Sequence, residues 1–296
     1  FFKQKTAYEI LTCDWSSDVC SSDLTRLGDL ELDESQAADL ARAIEEEVSR
    51  RGRATVVRIE VERDMPPVMR QRLDSELRAE ETGERSILGQ ADTYEVDGLL
   101  SLGGLKDLAA LDAPDLQYPP LTARNPMETD RSIFDVLDER DVLVHHPYDS
   151  FEASYERLLN EAADDPDVLA IKLTLYRPGR PSVISDALHR AAAAGKQVSV
   201  FVELKARFDE QQNIVWARKL ERAGIHVVTG LVRYKTHAKI TLVVRRSEGQ
   251  PKLYSHVGSG NYNRSTAKVY TDFGLFKIGR AHVELQSHVR ISYAVF

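Results

Sequence analysis

The amino-acid sequence predicts an α/β protein. Its main part should be a mixed, mostly parallel sheet with helices on its faces, and a partial α+β, helix-containing segment should precede it. Three observations carry this expectation. From about residue 150, short apolar runs alternate with stretches of helical period. Two of those stretches stop at glycine, Gly195 and Gly224, the residue that most readily takes the left-handed turn after a helix. The runs "DVLAIKLTLY" and "KQVSVFVEL" are apolar along most of their length, as strands buried within a sheet are.

Residues 1 to 24, "FFKQKTAYEILTCDWSSDVCSSDL", show no sustained period and contain both cysteines, Cys13 and Cys20. Together with residues 278 to 296 they read as non-native additions, like vector or adapter read-through, and are set aside from the functional reading. The body starts at Thr25. "DESQAADLARAIEEEVSRRG" predicts a helix ending at Gly52, "RATVVRIEVER" a half-buried strand, and "PPVMRQRLDSELRAE" a helix with Pro in its first turn. "TYEVDGLLSLGGLKDLAAL" predicts a strand, a glycine-containing turn and a short helix. A Pro-rich polar linker, residues 117 to 132, separates this partial middle domain (25 to 123) from a second domain (124 to 277). There, Ser150 caps a helix running to about Ala163. Strands follow at 167–176, 196–204, 225–230 and 237–246, with helices at 182–195 and 209–224 between the first three.

Bulk composition excludes several classes. The chain has 296 residues, of which 42% are hydrophobic and 29% charged, a globular balance. Net charge is −8 from 39 basic and 47 acidic side chains, which points away from nucleic acid. A polyanionic ligand has to be held by a local basic cluster. No run approaches the roughly 18 apolar residues of a membrane span, and no signal peptide is evident. Two cysteines with no metal spacing suggest a reducing, cytoplasmic setting.

The chemistry gathers around "RYKTHAKITLVV", residues 233 to 244. In a strand, positions i and i+2 share a face, so His237 and Lys239 would point the same way. A neutral imidazole attacks phosphorus, and a fixed cation beside it takes up charge on the phosphoryl group. A lone H-x-K is common on ordinary strand edges, so the neighbourhood has to decide. Arg177, Arg180, Lys205, Arg207, Arg233 and Lys235 crowd the strand ends and the preceding loop. "HVGSGNYN" adds glycines that let backbone N–H groups approach an anion, with Asn261 and Asn263 as further donors. In α/β sheets, ligands bind beyond the carboxyl ends of the strands, which is where Arg177 and Arg207 fall.

Several stretches in combination, "HHPYDSFEASYERLLNEAADDPDVLAIKLTLYR", "QVSVFVELKARFDEQQNIVWARKLERAGIHVVTGL", "KTHAKITLVVRR", "HVGSGNYN" and "TAKVYTDFGLF", resemble the long polyphosphate kinases that work through a phosphohistidine. The resemblance covers about residues 25 to 277: the end of that family's middle domain, then its first C-terminal catalytic domain, which has a phospholipase D-like fold. It implies reversible transfer of the ATP γ-phosphoryl group to a polyphosphate end through an enzyme histidine, with Mg²⁺ as cofactor. ATP, ADP and inorganic polyphosphate are the implied partners, and a homo-oligomer, cytoplasmic or peripheral to the membrane, the implied state. Carried over by motif, His237 matches the phosphorylated histidine and Tyr270 a nucleotide contact. Arg177 and Arg207 match the magnesium–phosphate positions. Because arginine is a poor cation ligand, both are expected to hold phosphate oxygens that the metal bridges. Lys239 is expected to stabilise charge, and Lys205, Asn261 and Asn263 to bind phosphate. The family's N-terminal domain and most of its second C-terminal domain have no counterpart, so the chain reads as an incomplete active site.

The remaining histidines carry less. His226 and His189 read as structural or surface, His145 and His146 as fixing entry to the catalytic domain, and His256 as placing the glycine-rich turn. Glu203 and Asp209 are alternatives for the group that orients His237. A phospholipase D-type phosphodiesterase is the competing enzyme reading. Its motif needs Asp five residues after the lysine, where this chain has Val244. The third reading is an inactive polyanion-binding fragment.

Overall fold

A computed structural model describes residues 22–27, 40–50, 56–80, 89–98, 100, 102, 105–177, 179, 183–230 and 234–279. Cys13, Cys20, Gly52, Arg180, Arg233 and all but the first two residues of the 278–296 segment lie outside these. The chain divides into two compact units, with Tyr118 and Pro119 at the boundary. A helix, α1 (Leu40–Arg50), precedes the strand β2 (Val56–Glu62).

The first unit is built on a three-stranded sheet of β1 (Ser22–Arg26), β2 and β3 (Thr93–Val96). β1 pairs antiparallel and β3 parallel to the central β2. The helix α2 (Pro67–Glu80) supplies Leu73 and Leu77 to a core closed by Leu24, Val56, Ile59, Val61 and Met65. The boundary expected at Thr25 therefore falls inside a strand: Ser22, Asp23 and Leu24 pair with Val61, Glu60 and Ile59. With a single apolar residue in "SDLTR", β1 offers no alternation to read. A short helix, α3 (Leu105–Ala109), and a 3₁₀ turn over Pro114–Leu116 end the unit.

The second unit contains a seven-stranded sheet. Its strands are β4 (Val142–His146), β5 (Val168–Leu175), β6 (Gln197–Val202), β7 (His226–Thr229), β8 (Lys239–Ser247), β9 (Gln250–Gly258) and β10 (Asp272–Ile278), in the order β4-β10-β9-β8-β5-β6-β7. The helices are α4 (Ile133–Glu139), α5 (Arg157–Asp164), α6 (Val183–Ala193), α7 (Glu210–Arg222) and the short α8 (Arg264–Ala267). Before α5, Ser150 Oγ accepts the Ala153 N–H, and the chain makes a π-turn over Glu152–Glu156. Gly195 and Gly224 close α6 and α7 at φ +80° and +77°.

The sheet is mixed, as expected, but parallel pairing is confined to β5–β6–β7. β8 and β10 run against their neighbours on both sides. The reason is connectivity. Helical crossovers return the chain to the same end of the sheet and give parallel strands, whereas a tight hairpin forces antiparallel pairing. Between β8 and β9 the turn is Glu248-Gly249, both with positive φ (52° and 78°), the geometry that suits the twist of two strands. The consecutive residues Leu173, Thr174 and Leu175 of β5 are buried (2%, 4% and 1% exposed), so both faces of the sheet are covered there.

This topology makes one functional end. The carboxyl ends of β5, β6 and β9 meet the amino ends of β8 and β10, because Leu173 pairs with Thr241, Lys239 with Gly258, and Gly274 with Gly258. Among the described residues, no helix is long and apolar enough to cross a membrane.

Candidate active site at the strand ends

β8 begins at Lys239, two residues later than the sequence suggests, so His237 sits in the loop that enters the strand. Thr174, buried near the end of β5, replaces ladder bonds at this point. Its hydroxyl donates to the Ala238 carbonyl at 2.7 Å and accepts the Ile240 N–H at 3.1 Å. His237 is solvent-accessible, while Lys239 is buried at 3% exposure. The Lys239 Nζ donates to the carbonyl of His237 at 2.5 Å.

Three of the expected site residues converge on Tyr176, the first residue after β5. The His237 ring meets it edge to face, with centroids 5.1 Å apart at 81°. Lys239 Nζ stands 5.1 Å and the Arg177 guanidinium carbon 5.5 Å from the same ring centre. Cations at this range are attracted to the ring face. Burial, then the charges of Lys239 and Arg177, lower the His237 pKa below its ordinary 6.5, so the imidazole is neutral at pH 7. Burial also lowers Lys239, to about 8; the neighbouring Asp272 carboxylate opposes that fall and Arg177 adds to it.

Arg177 is held in place by its surroundings. Its Nε forms a 3.0 Å ion pair with Asp209, and its terminal nitrogen donates to the Arg207 carbonyl at 2.9 Å. Between those two anchors Phe208 takes φ +70° and turns its ring outward, at 76% exposure. Arg207 itself is exposed. Asn263 caps α8 by accepting the Ser265 and Thr266 N–H groups, and its Nδ2 donates to the Arg177 carbonyl at 3.1 Å. Asn261 is half-buried, and its side-chain oxygen has no hydrogen-bond partner among the described residues. Tyr270 follows α8 and is 62% exposed, outside the cluster around Tyr176.

Lys205 differs from its expected setting. It is buried at 7% exposure, and its Nζ donates to the Tyr234 carbonyl at 2.7 Å, so the ammonium braces the loop that carries His237. Burial lowers its pKa, opposed by Glu203. Neither alternative for orienting His237 does so directly. Among the described residues no hydrogen bond joins its ring to Glu203, which takes two backbone N–H groups, or to Asp209, which pairs with Arg177.

The secondary histidines are structural in their contacts. His146 Nδ1 bonds the Asp149 carbonyl at 2.7 Å, and His145 stacks on Phe273. His189 Nδ1 bonds the Ser185 carbonyl. His226 opens β7 on an exposed position. Buried His256 is paired with the Tyr262 hydroxyl at 3.0 Å and has a pKa lowered by burial to about 3.

Sequence reasoning missed Tyr176, Thr174 and Asn213. From the buried face of α7, Asn213 Nδ2 donates to the carbonyls of Tyr176 (2.9 Å) and Glu203 (2.8 Å), and so joins the ends of β5 and β6. Its signal was present: an amide on the apolar stripe of Ile214, Ala217 and Leu220 needs buried partners.

Among the described residues, no group of three or more His, Cys, Asp or Glu side chains forms a metal cage. Arg177 and Arg207 are cations with no lone pair to offer. Neither of these two arginines can therefore ligate magnesium directly.

The model of the polyphosphate kinase C-terminal domain 1 matches residues 132–290, more than half of the chain. The chain belongs to the polyphosphate kinase family. The model of the polyphosphate kinase middle domain matches residues 16–108. Both matches extend into the two terminal segments that read as foreign. Polyphosphate kinase from Mycolicibacterium gilvum is 48% identical over 257 residues, covering 85% of this chain and 34% of that protein. The Thermosynechococcus vestitus polyphosphate kinase is 45% identical over 280 residues, covering 86% and 37%. The crystal structure of polyphosphate kinase from Porphyromonas gingivalis matches with a TM-score of 0.55 at 32% identity, over 74% of this chain and 34% of that one. The chain thus spans about a third of the length of the curated polyphosphate kinases it matches.

Proposed function

We propose that this chain carries the phosphoryl-accepting half of an ATP:polyphosphate phosphotransferase, with His237 as the nucleophile. One observation carries the reading: an accessible imidazole is held edge-on against Tyr176, the ring that Lys239 and Arg177 also approach, and burial and those two charges favour its neutral form. Neutral imidazole has the free lone pair that attack on phosphorus needs, and cations already in place stabilise charge without reorganising.

A ring nitrogen of His237 attacks the γ-phosphorus of ATP. The P–N bond forms as the bond from phosphorus to the bridging β-oxygen breaks, and ADP leaves with that electron pair. A terminal oxygen of polyphosphate then attacks the phosphohistidine. The P–N bond breaks, its electrons return to the imidazole, and the chain is longer by one phosphate. Lys239 and Arg177 neutralise the oxygens of the group in transit, and exposed Arg207 extends the cationic edge towards the rest of the chain. Magnesium arrives with the nucleotide as part of the substrate. Asn263 acts by fixing Arg177, Asn261 is a phosphate donor, and Tyr270 offers its exposed ring to the nucleobase. The full-length protein is read as a homo-oligomer, cytoplasmic or peripheral to the membrane. No observation favours a phosphodiesterase, since Val244 stands where that chemistry places Asp.

The test is incubation of the chain with Mg²⁺ and γ-labelled ATP, and separately with labelled polyphosphate. Protein-bound label that survives alkali, is lost in acid and is absent from His237→Ala is the expected result. Equal label on the folded His237→Ala variant overturns the assignment.

A further inference from the structure

The group that fixes His237 lies far from it in sequence. Glu203, just past β6, is fully buried at 0% exposure. One carboxylate oxygen, Oε1, accepts the backbone N–H of Lys205 at 2.9 Å. The other, Oε2, accepts the N–H of Thr236, the residue before His237, at 2.6 Å. Gly230 closes over the carboxylate: a Cβ there would stand 3.3 Å from Oε2. Two residues on, the Lys205 ammonium holds the Tyr234 carbonyl at 2.7 Å. One strand end thus grips the segment 234–236 twice, an anion on an N–H and a cation on a C=O. Asn213 fixes that strand end against β5, where Tyr176 begins. Hydrogen bonds to ionised groups are shorter and stronger than neutral ones, and a buried carboxylate can receive two N–H groups where an amide of the same shape can receive only one side's.

We propose that Glu203 is the positioning residue for His237: by holding the Thr236 N–H it sets the backbone from which the imidazole projects onto Tyr176, the ring that Lys239 and Arg177 also approach. Glu203 touches neither substrate nor the reacting atoms. It acts through the loop, and the proposal rests on the reading of His237 as nucleophile. A misplacement of about 1 Å at a reacting group costs on the order of 10²-fold in rate.

The test pairs Glu203→Gln with Glu203→Asp, and reads amide hydrogen exchange at Thr236 beside the rate of His237 labelling from γ-labelled ATP. The Gln variant keeps the shape but turns an N–H₂ group on one of the two donors. The Asp variant keeps the charge but is a methylene short of spanning both. The expected result for Gln is faster Thr236 exchange and a maximal labelling rate lower by on the order of 10²-fold, with the half-saturating ATP concentration nearly unchanged. Asp should fall between Gln and wild type. Native Thr236 protection with a native labelling rate overturns the proposal. So does loss of cooperative unfolding in both variants, which reduces Glu203 to a fold requirement. An unlabelled wild type whose Thr236 amide is still released by Glu203→Gln marks a different failure: the anchor exists, and the reading of His237 is what falls.

Discussion

Lys239 is the residue on which pH acts most directly. With a pKa of about 8 it is charged at pH 7 and loses its proton as pH rises through 8. His237, with its pKa lowered below 6.5, gains nucleophilicity as pH rises through that lower value. The second-order labelling rate at low ATP reports the free protein. It should climb to a plateau below pH 7 and fall again near pH 8. Lys239→Gln removes the cation, so the rate at pH 7 should drop on the order of 10²-fold and the fall near pH 8 should vanish. Persistence of that fall in the variant assigns it to another group. Stability moves separately. Between pH 8 and the ordinary lysine value of 10.5 the unfolded chain binds more protons than the folded one, so the Lys239 contribution grows more favourable across that window. The chemistry of this pair was legible in sequence because an H-x-K spacing is local. Tyr176 was not, since its role exists only once the end of β5 lies beside the start of β8 and brings it against His237, 61 positions further along the chain.

Elements set the site by where they end, and two of them separate stability from function. Asn263 caps α8 and ties the Arg177 carbonyl. Asn263→Ala should cost about 1 kcal/mol as a lost cap, and lower both the melting temperature and the labelling rate. Gly249 lies in the β8–β9 hairpin, at the opposite end of β8 from Lys239, with φ +78° and nothing within 4 Å of an added Cβ. Gly249→Ala should also cost about 1 kcal/mol, as left-handed strain alone, with labelling of the folded protein unchanged. Calorimetry beside labelling checks both, and a labelling loss in Gly249→Ala contradicts the separation. Helices and inner strands were readable because each carries its own period and its own glycine stop. The edge strand β4, its inner neighbour β10 and the antiparallel return of β8 were not. Their partners are chosen by hairpin geometry and by pairings more than 100 residues apart, such as Phe276 with Val142.

On the scale of the whole molecule, charge and site pull in opposite directions. The chain carries −8, yet its site gathers Lys239, Arg177 and Arg207 at one end of a sheet. A polyanion is therefore repelled by the body and attracted only within a short distance of the strand ends. At about 0.15 M salt the screening length is near 8 Å, so the two effects separate. Close contacts with the cations are partly shielded from salt, while the long-range repulsion is largely removed. Polyphosphate should raise the midpoint of thermal unfolding, by the equivalent of about 2.7 kcal/mol when present at 100 times its dissociation constant. The affinity should fall only modestly between 0.1 and 0.3 M salt, roughly in line with the few phosphates held directly. Arg177→Gln and Arg207→Gln together should abolish the shift while leaving the ligand-free midpoint within a few degrees. A shift that survives the double variant, or that collapses completely at about 0.3 M salt, places polyphosphate on a diffuse basic surface elsewhere and removes the strand-end site as its binding place.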